Sequence, residues 1–183
     1  DESFITINAD DFYGFGAFKK AYETLEYIEK NNIQVSTISY FIENTLSENG
    51  GVSRGVCIKD GNKLIDIEET HDLIKVDDRI VEGTYDNKKV RHPIGTQVAM
   101  NLFGFQKSIF KILNTEFKSF LSNNINNLKS EFLLPEIIGK KNVYIDVTDE
   151  NWFGVTYKED SVTVKEKIKK LVKTGSYPSN LWY

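Results

Sequence analysis

The chain alternates between two hydrophobic rhythms. Phe4 to Asn8 reads FITIN, with the period of two that marks a strand, and stops at Asp10-Asp11. A helical period follows, through Phe15, Phe18, Tyr22, Leu25 and Ile28. A second strand is expected from Val35 to Ile42, then a polar loop, Glu43 to Ser53, with Asn49-Gly50-Gly51 inside it. Arg54 to Lys59 and Lys63 to Glu68 are β-rich runs joined by Asp60-Gly61-Asn62, a hairpin signal. His71 to Pro93 is charged and turn-rich and reads as an irregular excursion with short strands, a flap or an oligomer contact. Thr96 to Phe105 is apolar without alternation, as expected of a strand covered on both faces. Helices are expected around Ile109 to Leu121, Glu131 to Ile138 and Ser161 to Lys173, with a strand from Asn142 to Val147 and a stop at Gly175 and Pro178.

Strands alternating with helices predict an α/β fold: a mixed, mainly parallel sheet flanked by helices, with one antiparallel hairpin. In such sheets ligands sit beyond the carboxyl ends of strands, where Asp10-Asp11 lies.

Composition narrows the function. The 183 residues carry a net charge of −4, with basic and acidic residues interspersed, which argues against a nucleic-acid or membrane surface. There is no apolar run of membrane-spanning length, and the first residues lack a leader pattern. The single Cys57 forms no internal disulfide, and His71 and His92 are too few for a His/Cys zinc site, so a reducing cytoplasm is the expected compartment. No phosphate loop or Gly-x-Gly-x-x-Gly run occurs.

Two adjacent carboxylates after a strand can bind Mg²⁺ through one or two oxygens while the ion keeps waters and grips phosphate. The same residues also make turns and cap helices. The surrounding sequence favours the first use. Ile7-Asn8-Ala9-Asp10-Asp11-Phe12-Tyr13-Gly14 resembles the segment of bacterial sugar-phosphate nucleotidyltransferases in which a strand ends at the metal-binding Asp. Asn44 to Gly50 with Val52 to Cys57 resembles the stretch before that family's hairpin, which ends in paired glutamates, here Glu68-Glu69. Many relatives continue with Lys-Pro, whereas this chain has Thr70-His71. Trp152 to Asp160 resembles the family's second metal segment, with Gly154 near the place of an expected Asp and Thr156 as in cytidylyltransferase relatives.

The resemblance implies a partial nucleotide-diphospho-sugar transferase (Rossmann-like) fold. Residues 1–183 would form the later, sugar- and metal-binding part of the domain, without the nucleotide-binding segment. It implies Asp10 and Lys158 as catalytic, Asp10 and Thr156 on Mg²⁺, with Asp149 or Asp160 as further metal ligands, and Asn8, Asp11, Gly55, Glu69, Asn101, Glu131 and Thr156 around the substrate. The expected reaction transfers NMP from an NTP to a sugar 1-phosphate. The alternatives are a cytidylyltransferase for an alcohol phosphate and a noncatalytic sugar-nucleotide-binding module. An exposed apolar sheet edge, covered by a partner chain or in a homo-oligomer, is expected as well. Cys57 and Trp152 are read as packing residues without a chemical role.

Overall fold

The structure, a computed structural model, describes residues 2–132, 134–138, 141–155 and 157–180. Eight strands form one sheet system: β1 (Phe4–Thr6), β2 (Val35–Phe41), β3 (Val52–Asp60), β4 (Lys63–Lys75), β5 (Ile80–Tyr85), β6 (Lys88–Pro93), β7 (Gln97–Phe105) and β8 (Val143–Thr148). The helices are α1 (Phe15–Lys30), α2 (Ile109–Asn124), the short α3 (Leu134–Ile138) and α4 (Asp160–Lys173).

The expected helix-flanked, mainly parallel, Rossmann-like sheet is not what forms. Five strands, in the order β7, β2, β8, β4, β3, close into a barrel because β3 pairs with both β4 and β7. Among the described pairings only β2 with β8 is parallel; β7 is antiparallel to β1, β2 and β3. The misreading has a physical source. An apolar run such as that of β7 signals cover on both faces, and a barrel wall under a helix provides this as well as a parallel sheet does. His71 to Pro93, read as an irregular excursion with short strands, does form strands, and they are regularly paired: the end of β4 carries an antiparallel β5–β6 hairpin.

Alternate residues of the same strands enter two cores, because successive side chains point to opposite faces. Ile38, Tyr40, Val56, Val98 and Leu102 pack with Ala17 and Ala21 of α1. Val35, Cys57, Leu64, Phe103 and Ile145 pack with Ile109 of α2 and Ile138 of α3. Burial holds the Cys57 thiol up at about 12, so it packs as a small apolar group, as read from the sequence.

Helix α1 meets the sheet through a different face from the one its aromatic residues suggest. Ala17, Ala21, Thr24 and Ile28 are buried, while Phe15 is 71% and Tyr22 62% exposed. Small residues let the helix axis approach the strands closely. The helix ends at Asn32 in the left-handed conformation (φ 53°), with the Ile33 amide donating to Ile28 O at 2.9 Å. The outward aromatic residues of α1 and the outer edge of β1, on which no further strand lies among the described residues, leave apolar surface uncovered. No described helix is long and apolar enough to cross a membrane.

The barrel closes at a glycine. Gly55 pairs with Glu69 on one side and Ala99 on the other, and a Cβ there would stand 2.5 Å from Ile67 Cγ2. Isoleucine is stiff at χ1 and yields little. Gly55→Ala should therefore cost ~1–3 kcal/mol in urea unfolding. Part of that loss should be recovered in Gly55→Ala/Ile67→Ala relative to the sum of the single changes; strict additivity would show that this contact does not set the seam.

Candidate functional site

Strands β1, β2 and β8 run the same way, so the loops that follow them emerge at one end of the sheet. Two of these loops are fastened together. Phe12 and Phe153 exchange backbone hydrogen bonds at 3.0 and 3.2 Å, and their rings stack at 4.3 Å. Helix α1 has no cap from its own Gly14; instead Glu150 Oε1 accepts from the Gly16 amide at 2.7 Å. A carboxylate at a helix N-terminus satisfies a donor the helix cannot, and it also interacts favourably with the dipole. Glycine is favoured at Gly14 by its left-handed φ of 83°, and a Cβ there would also crowd the Glu150 carboxylate. The third loop joins through Asn44, whose carbonyl accepts from the Trp152 amide at 3.1 Å.

This fastening builds one wall of a cleft of about 260 Å³, lined by Asn8 and Asp11 after β1, Ser53, Arg54 and Gly55 of β3, Ile67 and Glu69 of β4, Ala99, Met100, Asn101 and Phe103 of β7, and Trp152 after β8. The structure therefore brings together Asn8, Asp11, Gly55, Glu69 and Asn101, named from separate parts of the sequence. Asp10 is exposed and does not line the cleft; its neighbour Asp11 does. Lys158, on the turn before α4, and Glu131, beyond α2, are exposed and also lie outside the lining. Thr156 falls outside the described residues.

Asp11 is held by its own segment. Asn8 Nδ2 donates to Asp11 Oδ2 at 3.0 Å, and the Tyr13 hydroxyl lies 3.4 Å from the same oxygen. That hydroxyl donates more closely to Met100 O, at 2.9 Å, and accepts from the Asn8 amide at 3.1 Å, tying the loop to β7. Burial raises the Asp11 carboxyl above the usual range; Asn8 opposes this, the adjacent Asp10 charge adds to it, and Tyr13 and Trp152 oppose it more weakly. The Tyr13 phenol is pushed up to about 12, mainly by burial.

Arg54 is the residue that the sequence did not single out. It is 8% exposed, stacks on Trp152 with its guanidinium carbon 4.6 Å from the ring centre, and donates to Ser53 O at 2.7 Å and to Thr45 O. Burial lowers its pKa to about 10, while Asp11 and Glu69 oppose the shift, so it stays cationic at neutral pH. Trp152, read as a packing residue, is both the platform for this cation and part of the cleft. A buried arginine paired only with carbonyls and a ring leaves no local pattern of spacing or periodicity to find.

Asn101 stands in the middle of β7 with φ 59°. Register slips here: Thr37 pairs with Phe103 but Ser39 with Ala99, so β7 spends more residues than β2 over the same stretch. Such a bulge re-aims a side chain, and Asn tolerates the left-handed conformation better than most residues.

The Mg²⁺ expectation rests on Asp10 and Thr156, of which Asp10 lies outside the cleft lining and Thr156 outside the described residues. Among the described residues no group of three or more His, Cys, Asp or Glu side chains gathers as a metal site. Gly154 sits against Asp11: a Cβ there would come within 2.9 Å of Asp11 Oδ1. Asp149 is exposed on the following loop. Asp160 is not arranged as a ligand; its carboxylate is buried and accepts from Ser47 Oγ, Asn49 Nδ2 and the Tyr157 amide at 2.8, 2.8 and 2.7 Å.

Two measurements probe this geometry. Asn101→Gly should keep or slightly raise stability, whereas Asn101→Ala should lose ~1 kcal/mol, because only glycine escapes the left-handed penalty. An equal loss for both would show that the amide itself carries the stability. A carboxylate held above its ordinary pKa costs the fold free energy that sets in as pH rises through the ordinary value, where the unfolded chain ionises first, and is fully present above the raised value. Asp11→Asn should therefore melt higher than the wild type at pH 7 and match it at pH 3; a lower melting temperature at both pH values would mean that the Asn8 contact outweighs burial.

The sequence matches no protein-family model and no curated protein.

Proposed function

We propose that the cleft recognises a sugar ring, and that the protein serves nucleotidyl transfer from an NTP to a sugar 1-phosphate, giving an NDP-sugar and pyrophosphate. The observation that carries this reading is the convergence of Asn8, Asp11, Gly55, Glu69 and Asn101 on one cleft. Two carboxylates and two amides offer planar acceptors and donors suited to adjacent hydroxyls. Gly55 lets the ligand approach the backbone, and Phe103 and Trp152 supply apolar surface. At about 260 Å³ the cleft lies just below the range of about 300–1,000 Å³ typical of small-molecule sites. That suits one monosaccharide better than a whole sugar nucleotide.

In this reaction a sugar phosphate oxygen forms a bond to the α-phosphorus while the bond from that phosphorus to the bridging oxygen of pyrophosphate breaks. The nucleophile is already anionic and needs no side-chain base, so positioning and charge neutralisation are what the protein must provide. Glu69 and Asn101 would orient the ring, and Asn8 fixes Asp11 facing it. Mg²⁺, held by Asp10 as the resemblance implies, would supply charge neutralisation at the phosphates.

Gly154 beside Asp11 favours a second reading, a noncatalytic sugar-nucleotide-binding module, since the resemblance expects a carboxylate there. Calorimetry with hexose 1-phosphates and NDP-sugars tests the shared premise. Glu69→Gln should weaken binding about tenfold or more, the loss of one charge-assisted hydrogen bond. Pyrophosphate-dependent NTP release from NDP-sugars, abolished by Asp10→Ala and Asp11→Ala, would support the enzyme; tight binding without release would support the module. Absence of any sugar binding would refute both.

A further inference from the structure

Ser53 and the buried Arg54 of β3 line the cleft, with Arg54 in the field of the Asp11 and Glu69 carboxylates. Ser53 faces a bulge in β4: Val52 pairs with Leu73 but Arg54 with Thr70, so Ser53 stands opposite both His71 and Asp72, and Asp72 has φ 53°. The bulge places His71 Nδ1 2.8 Å from Ser53 Oγ, with both side chains exposed.

We propose that Ser53 and His71 form an anion subsite at the mouth of the cleft that takes the phosphate group of the ligand. The proposal rests on the sugar-phosphate reading above. Its chemistry follows from the shared hydrogen bond. In the neutral Nε2–H tautomer, Ser53 donates to His71 Nδ1 and offers the cleft only lone pairs. Once His71 is protonated, Nδ1–H donates to Ser53 Oγ, and the serine hydroxyl is released to donate to a phosphate oxygen. Arg54 adds fixed positive charge behind Ser53, its guanidinium already donating to Ser53 O and Thr45 O. The charged groups around His71 are Glu69 and Asp72 on β4 and Arg54 on β3; its register partner on β5 is the neutral Thr84, beyond which lies Lys89 of β6.

The test compares a hexose 1-phosphate, the free hexose and inorganic phosphate by calorimetry and by the imidazole NMR signals of His71, in the wild type, His71→Gln and Ser53→Ala, each checked for an unchanged melting temperature. The wild type should prefer hexose 1-phosphate over hexose by about tenfold at pH 6.5. That ratio, which divides out changes common to both ligands, should fall to about twofold in either variant. A phosphate group itself titrates near pH 6, so the diagnostic pH effect is the part of the pH 6 to 8 affinity loss that disappears in His71→Gln. An unchanged ratio in both variants would overturn the subsite while leaving the sugar reading intact. If neither sugar ligand binds, the sugar reading fails and inorganic phosphate decides alone: movement of the His71 signals supports an anion subsite, and no movement overturns it.

Discussion

The seam between β3 and β7 is the constraint on which the rest of the structure depends. Only Gly55 with Ala99 and Val56 with Val98 pair across it among the described residues, yet this short contact turns an open sheet into a closed barrel. Closure brings Glu69 of β4 within reach of Asn101 of β7, strands that are otherwise three neighbours apart through β8 and β2. It is made at a glycine because Ile67 of β4 already occupies the space a side chain would need. The same missing side chain leaves backbone open to the cleft.

A second layer of organisation comes from loops holding loops. The Glu150 carboxylate at the start of α1, the Phe12–Phe153 bridge and the Asn44–Trp152 contact fasten three chain segments at one end of the sheet. Each replaces a missing local partner: α1 has no cap of its own, and Phe12 and Phe153 belong to no named strand. Asp11 and Trp152 reach the cleft because of these contacts. Buried Arg54 completes the arrangement, with the charges of Asp11 and Glu69 partly offsetting its desolvation. Groups whose ionisation costs the fold free energy are common where a ligand is bound.

The sequence made the local elements legible. The Asp-Gly turn predicts the β3–β4 hairpin that forms, and the helical periods predict α1, α2 and α4. Candidate residues Asn8, Asp11, Gly55, Glu69 and Asn101, which line the cleft, came from the resemblance of their segments and not from turn chemistry or alternation. The buried face of α1 was not legible, since Phe15, Phe18 and Tyr22 carry the stronger periodic signal while Ala17 and Ala21 make the contact. Nor was the choice of Asp11 over Asp10 for the cleft, which turns on the hydrogen bond from Asn8 and on the contact with Tyr13.

What the sequence by itself determined is therefore most of the strands, helices and turns, because these follow from interactions between residues near one another in the chain. Strand direction, barrel closure, the aim of Asn101 and the roles of Ser53, Arg54, His71 and Trp152 were decided only by tertiary structure. An apolar strand packs equally well in a parallel sheet or a barrel wall, and a buried cation or a Ser–His hydrogen bond depends on residues that only the closed fold brings together.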